Sequence, residues 1–575
     1  MNASAHITAK VRTFLPKEFI LTDWATLEPY FVQLQERAID SLAALEQWLA
    51  DLSELEAVVG EDACWRQIKM TCDTANPTLE EAFTFFVTEI EPKIKPYAFA
   101  INQKLLACPF KDQLASAVYF PYLRSVANSV ALFRAENIAL ESEISLLAQQ
   151  YGVISAAMSV QIHDQEYTLQ QAAKMLHDAN RDLRKEVFTK VAQRRLADKE
   201  QLDQLFDKLL TLRHQVALNA GFSNYRDYKF SALGRFDYTV QDCFAFHQAV
   251  KEHIVPLQNE LLALRQKELG IDQLKPYDTD AEPMGRKPLQ PFQNGAEMLE
   301  KSIEVFSQLH PFFGDCLRTM QAMGRMDLDS RKGKAPGGYN CPLPETGVPF
   351  IFMNAAGTVN DLITMMHEGG HAVHSFLSHN LPLTALKEYP MEIAELASMS
   401  MELFTLEHWQ HFFNTKEECI RAQWEEMERV IDVLPWIATI DKFQHWLYTN
   451  PGHTVADREQ AWKSIHQEFA SGLIDWSDFS DYQASFWQKQ LHLFEVPFYY
   501  IEYGIAQLGA IAMWRQYKQN KEQALDNYMT ALSLGYTKTL KELYHIAGIQ
   551  FDFSPAYIKE LSDFVHDEMQ QLKTN

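Results

Sequence analysis

Nothing in this 575-residue sequence reads as a disulfide framework. Its seven cysteines (Cys64, Cys72, Cys108, Cys243, Cys316, Cys341 and Cys419) are scattered, odd in number and never in C-x-x-C spacing. Buried thiols in a reducing compartment are the simplest account. No apolar run approaches the roughly 20 residues needed to span a bilayer. Residues 1–17 contain polar residues throughout and no apolar core, so they do not read as a secretory signal. An excess of positive charge is also missing. The 52 Lys and Arg face 76 Asp and Glu, a formal −24, which argues against nucleic acid or an anionic membrane as partner. No repeat of fixed period is present, so a solenoid is unsupported. These absences point to a cytoplasmic protein, and none of them sets an oligomeric state.

What is present is apolar material and helical spacing. Hydrophobic residues make up 47% and aromatics 12%, ample for a large core. Residues 20–265 form a near-continuous series of amphipathic patterns, for example 26–55 and 178–220, with prolines clustered in breaks such as Pro77, Pro92 and Pro96. Pro276, Pro283, Pro288 and Pro291 then mark a loop. Helical spacing resumes over 296–323. Residues 338–342 and 348–353, separated by Pro344-Glu345-Thr346-Gly347, read as two short strands and a turn. An edge strand here could bind an extended peptide through main-chain hydrogen bonds, or the hairpin could be purely structural. Helical patterns return from 390 and run to 555–572.

The chemistry concentrates in Met366-His367-Glu368-Gly369-Gly370-His371, an H-E-x-x-H run in a helical pattern. Residues four apart on a helix share a face, so His367 and His371 present their imidazoles together. A catalytic tetrahedral zinc takes such a pair, a third protein ligand and a water. Glu368 can reach that water and take its proton. Gly357-Thr358 breaks the preceding run, and Asn360 or Asp361 can cap the new helix. Leu362, Ile363, Met366, Val373, Phe376 and Leu377 supply its apolar stripe. Gly369 and Gly370 sit inside the helix, each at a cost of about 1 kcal/mol against Ala, which suggests that another backbone or a substrate passes close by.

The third ligand lies elsewhere. A metzincin pattern needs Gly at 374 and His at 377, and this chain has His374 and Leu377. Over 390–402 a second helical segment carries Glu395 and Glu402, seven apart and on one face. Carboxylates on an apolar, Met-rich helix are awkward to bury without a cation. Glu395 is read as the metal ligand and Glu402 as the acceptor that orients a ligating histidine. Glu392 and Glu407 read as solvated, and His374 as a core or supporting histidine rather than a third imidazole ligand.

Taken together, the run from Gly333-Lys334-Ala335-Pro336-Gly337-Gly338-Tyr339 through Pro349-Phe350-Ile351-Phe352-Met353-Asn354 and Gly357-Thr358 to the H-E-x-x-H helix resembles the thimet-oligopeptidase-like (M3) zinc metallopeptidases. It looks closest to their oligoendopeptidase F branch. Glu395 and Glu402 match that family's third-ligand helix, and Gly221, Asn224 and Tyr225 fit upstream. The resemblance covers most of the chain, most strongly from about residue 190 onward, and divides it into an N-terminal helical domain, 1–190, and a catalytic domain, 191–575. It implies a mainly α, two-lobed body with a deep central channel that excludes folded proteins, a small β-sheet beside the H-E-x-x-H helix, and one zinc ion per chain. The family also places a histidine and a pair of tyrosines three apart at the active site, and His492, Tyr500 and Tyr503 fit. The spacing from His492 is shorter here than in the thimet branch, so Tyr499 stands as the alternative to Tyr500. By composition alone, the aromatic run 492–504 reads as core. Hydrolysis through an activated water builds negative charge on the carbonyl oxygen, and tyrosine hydroxyls and a histidine are suitable donors to it.

The leading expectation is a zinc endopeptidase acting on short peptides, with His367, His371 and Glu395 on the metal and Glu368 as general base. A carboxypeptidase or dipeptidase on a similar helical fold is the second reading. It needs a positive group for the substrate carboxylate, and no arginine of the sequence is marked out for that role. A third reading, an inactive peptide-binding scaffold, sits poorly with an intact Glu368, because a binder needs no base.

Overall fold

The computed structural model of the chain describes residues 11–283, 286–335 and 337–574. Residues 1–10 of the N-terminal segment and Pro336 of the 333–339 run lie outside the described residues. The fold is mainly α, as expected, with two small sheets. None of the seven cysteines is in a disulfide, and Cys108, Cys243, Cys316, Cys341 and Cys419 are buried. Among the described residues, no helix is long and apolar enough to cross a membrane.

The long helical patterns break where local chemistry interrupts them. The 296–323 stretch is two helices, Gly295–Leu309 and Pro311–Ala322. Pro311 has no N–H to continue the first, and His310 caps the second by accepting from the backbone N–H of Phe312. Likewise 178–220 divides at Asp198 into Arg181–Ala197 and Lys199–Asn219.

Two compact units organise these elements. The first holds residues 11–133, Leu289–Gln423 and Ala506–Phe551. The second holds residues 134–288, Trp424–Ile505 and 552–574. In the second unit, β1 (Ser159–Ile162) and β2 (Gln165–Thr168) form an antiparallel hairpin.

The first unit contains a three-stranded sheet of β3 (Met326–Asp329), β4 (Tyr339–Cys341) and β5 (Phe350–Ala355), in the order β3-β5-β4. The expected hairpin is β4 with β5, antiparallel with Tyr339 opposite Phe352 and Cys341 opposite Phe350. Strand β3 was not expected. It pairs in parallel with the other side of β5, leaving β4 as an edge. The Tyr339 ring stacks on Phe352 with centroids 4.8 Å apart, and Phe352 is fully buried. The side-chain amide of Asn340 donates to the carbonyl oxygen of Glu368 at 3.3 Å, which ties the edge strand to the H-E-x-x-H helix.

Candidate metal centre and aromatic cluster

The H-E-x-x-H helix runs over Val359–Ser378, and its N-cap is Thr358 rather than Asn360 or Asp361. Asp361 is the reciprocal member of a capping box. Its backbone N–H donates to Thr358 Oγ1, and its carboxylate accepts from the Thr358 N–H at 2.9 Å. Asp361 Oδ2 also accepts from the Ala356 N–H. Gly357 turns the chain into this cap with a φ of +89°, and a Cβ there would lie 3.0 Å from the carbonyl oxygen of Phe292. Leu362, Ile363, Met366, Val373 and Phe376 are buried as the stripe required, and Leu377 is half-buried.

The next helix, Met391–Thr405, packs closely against it. Gly370 makes this possible, while Gly369 makes room for Phe306 of the helix Gly295–Leu309. A Cβ on Gly370 would sit 2.6 Å from Ser398 Cα, and one on Gly369 would sit 2.5 Å from the Phe306 ring. Met391–Thr405 is also flanked by the helices Lys521–Ser533 and Leu540–Ile546, so from Glu392 onward it has no solvated face. The expectation that Glu392 is solvated therefore fails: only 4% of it is exposed. Glu407 is half-buried, where it accepts from the Tyr517 hydroxyl and the Lys521 ammonium. His374 is a core histidine, fully buried and stacked on Tyr389 with centroids 3.5 Å apart.

Between the two helices, His367, His371 and Glu395 converge, with one ligand atom from each within 4.8 Å of the others. Glu395 Oε2 lies 3.3 Å from His367 Nε2 and 3.7 Å from His371 Nε2. Two ligands of one tetrahedral zinc stand about 3.3 Å apart, so this donor set fits the ion. Its orientation is fixed from behind. The Nδ1–H of His367 donates to Glu402 Oε1 at 2.5 Å, which turns Nε2 toward Glu395. His371 is hydrogen-bonded to the backbone of Ala394, and Ser398 Oγ donates to Glu395 Oε2. The imidazole side chains keep 21% and 16% of their surface, enough for a water or substrate to approach.

Electrostatics favours positive charge at this point. Burial opposes it, yet the bonds to Glu395 and Glu402 push His367 well above the usual imidazole range. Burial, with Coulombic opposition from Glu395, brings His371 down to about 4, the neutral form a metal needs. Glu368 is 5% exposed, and its Oε2 is buried with no hydrogen-bond partner. Burial, opposed by attraction to His367 and aided by repulsion from Glu395 and Glu402, pushes its carboxyl up to about 7. A carboxylate raised toward neutral pH and lacking a partner suits proton transfer.

His492, Tyr500 and Tyr503 cluster in the second unit. His492 lies in the short helix Leu491–Glu495, and the two tyrosines lie in the first turn of Tyr500–Gln519. The His492 ring is 4.9 Å from Tyr500 and 5.8 Å from Tyr503, with Tyr499 at 6.0 Å. His492 Nδ1 shares a 2.7 Å hydrogen bond with the side-chain amide of Gln490, whose Oε1 accepts from the indole N–H of Trp436. Burial, opposed by bonds to Trp436 and Gln490, raises the Tyr500 phenol to about 12 and keeps it a donor. Sequence reasoning missed what holds this cluster. Phe498 takes a left-handed φ of +68° immediately before Tyr499. Its N–H donates to Gln444, and Arg235 donates to its carbonyl oxygen and to Glu502. Strain of this kind persists only where the surroundings over-determine it.

Comparison with known proteins agrees with the motif reading. The model of peptidase family M3 matches residues 174–563, and that of the peptidase M3 N-terminal domain matches residues 14–133. Group B oligopeptidase PepB of Streptococcus agalactiae is 27% identical over 230 residues, 40% of this chain. The plasmid-encoded oligoendopeptidase F of Lactococcus lactis subsp. cremoris is 27% identical over 234 residues, also 40% of this chain. Each alignment spans 37% of the relative's length. The solved structure of PZ peptidase A with an inhibitor superposes with a TM-score of 0.90 at 26% identity, covering 97% of this chain and 99% of that one. On these matches the chain belongs to peptidase family M3, on its oligoendopeptidase F branch.

Proposed function

We propose that this protein is a zinc-dependent oligoendopeptidase that hydrolyses internal bonds of short peptides. The observation that carries the reading is the convergence of His367, His371 and Glu395 beside the unpartnered oxygen of Glu368. His367, His371 and Glu395 would hold one zinc ion. Bound there, zinc supplies a Lewis acid and lowers the pKa of a water toward about 7. Glu368 takes a proton from the attacking water and returns it to the leaving amine. His492, Tyr500 and Tyr503 are assigned as donors to the negative carbonyl oxygen. Support for that assignment is the family resemblance and the mutual packing of their rings. The names of the relatives, oligopeptidase and oligoendopeptidase, support short peptides as substrates.

A mixture of peptides blocked at both ends tests the reading. Internal fragments should appear in the mass spectrum, a chelator should abolish them, and added zinc should restore them. Cleavage only of peptides with a free carboxylate would favour the carboxypeptidase reading instead. No cleavage by zinc-loaded protein would leave a peptide-binding scaffold.

Glu402 should matter without touching the metal. Replacing it with Ala leaves the Nδ1–H of His367 without its acceptor. Losses of 10–100-fold are usual for such supporting partners, so zinc affinity should fall by about that factor in a competition titration. Glu402→Gln keeps an acceptor oxygen and should recover part of the loss. Wild-type affinity in Glu402→Ala would remove Glu402 from the site.

A further inference from the structure

The second unit holds another group of metal-type side chains that the proposed peptidase site does not use. Cys243 and His247 stand one turn apart on the helix Val240–Ala249, and Asp441 and His445 stand one turn apart on Lys416–Thr449. Cys243, Asp441 and His445 each offer a ligand atom within 4.8 Å of the other two. His247 Nε2 is 2.8 Å from Asp441 Oδ2, and His445 Nε2 is 3.2 Å from the same oxygen. All four residues are at most 3% exposed.

Several polar atoms in this cluster have no hydrogen-bond partner: Asp441 Oδ1, Nδ1 of His445 and Nδ1 of His247, while His445 Nε2 has only the Asp441 carboxylate beside it. Their surroundings offer little help, since the rings of Phe230, Phe244 and Phe498 pack around His445. Buried polar atoms are normally satisfied, so this concentration in one place needs a cause. A divalent cation provides one. A thiolate and a carboxylate carry two negative charges, which one divalent ion neutralises, and a buried site requires such balance. The mixed sulfur, oxygen and nitrogen set suits zinc, whereas magnesium and calcium take oxygen ligands.

We propose that Cys243, Asp441 and His445 bind a second, structural zinc-type ion, with His247 holding the other carboxylate oxygen of Asp441. The ion pins Val240–Ala249 to Lys416–Thr449, and its binding releases the Cys243 thiol proton to solvent. This site does not depend on the peptidase reading, because its signature is sulfur and the ligands His367, His371 and Glu395 carry none.

The test loads the full-length protein with Zn2+ or Co2+, removes unbound metal by gel filtration, and counts ions per chain. Two zinc ions are expected in the wild type and one in a His367→Ala, His371→Ala double variant. The cobalt form should show a near-ultraviolet thiolate-to-cobalt charge-transfer band in both proteins, lost in Cys243→Ser. If Cys243→Ser does not fold, His445→Gln serves as the second variant, and X-ray absorption of the zinc-loaded wild type should find a sulfur neighbour at about 2.3 Å. No bound zinc in the double variant, together with no sulfur neighbour and no charge-transfer band, would overturn the proposal and leave a metal-free network of buried polar groups.

Discussion

Glu368→Gln should lower kcat by about 10^3-fold or more, within the range for loss of a positioned general base, while zinc content stays unchanged. The two side chains have nearly the same shape, but an amide cannot accept the proton of an attacking water. Zinc is retained because the proposed ligands are His367, His371 and Glu395, whose mutual distances do not involve Glu368. Stability should move the opposite way. The Glu368 carboxylate is buried, has an unpartnered oxygen, and is repelled by Glu395 and Glu402. Removing a charge from that position should leave the melting temperature equal to or above the wild type, the pattern expected where function maintains a destabilised group. Steady-state kinetics, metal analysis and a thermal melt on one preparation read all three. Near-wild-type kcat with zinc bound would remove Glu368 as the base.

How far the site was readable from the sequence depends on the range of each interaction. His367 and His371 are set by helical periodicity alone, and Glu395 and Glu402 betray themselves as carboxylates on an apolar segment. The direct bond from His367 to Glu402 follows from the same face-sharing argument. The cap expected at Asn360 or Asp361 lies two or three residues earlier, because in a capping box Asp361 looks as good a cap as Thr358. Glu392 reads as solvated because periodicity does not show that Met391–Thr405 is packed on all sides, by its neighbour Val359–Ser378 and by helices far along the chain. Strand β3 has only four residues, two of them Asp, and forms only because β5 offers its free side. The left-handed Phe498 leaves no local signal, and the pairs Cys243/His247 and Asp441/His445, each one turn apart, do not announce that they face each other, since the two helices are distant in sequence. Periodicity sees along one helix; it does not see which helix comes next to it.

Gly370→Ala should separate the two helices that carry the proposed ligands. Intrinsic propensity alone predicts the opposite, since alanine in a helix interior is favoured over glycine by about 1 kcal/mol. The new methyl would lie 2.6 Å from Ser398 Cα, 2.8 Å from the Ala397 carbonyl oxygen and 3.0 Å from Met401 Cβ. Two of these are backbone atoms in the middle of a buried helix and cannot rotate away. Overpacking of this kind costs about 1–3 kcal/mol, so the sign is destabilising, and the strain falls within one turn of Glu395. The expected result is a lower melting temperature together with zinc affinity reduced at least tenfold, on the scale of losing a supporting contact. Gly369→Ala is the internal control. Its methyl meets the far edge of the Phe306 ring at 2.5 Å, a side chain that can shift, so zinc binding should stay close to wild type. If Gly370→Ala raised stability and bound zinc normally, close helix contact would not be what brings Glu395 to the two imidazoles.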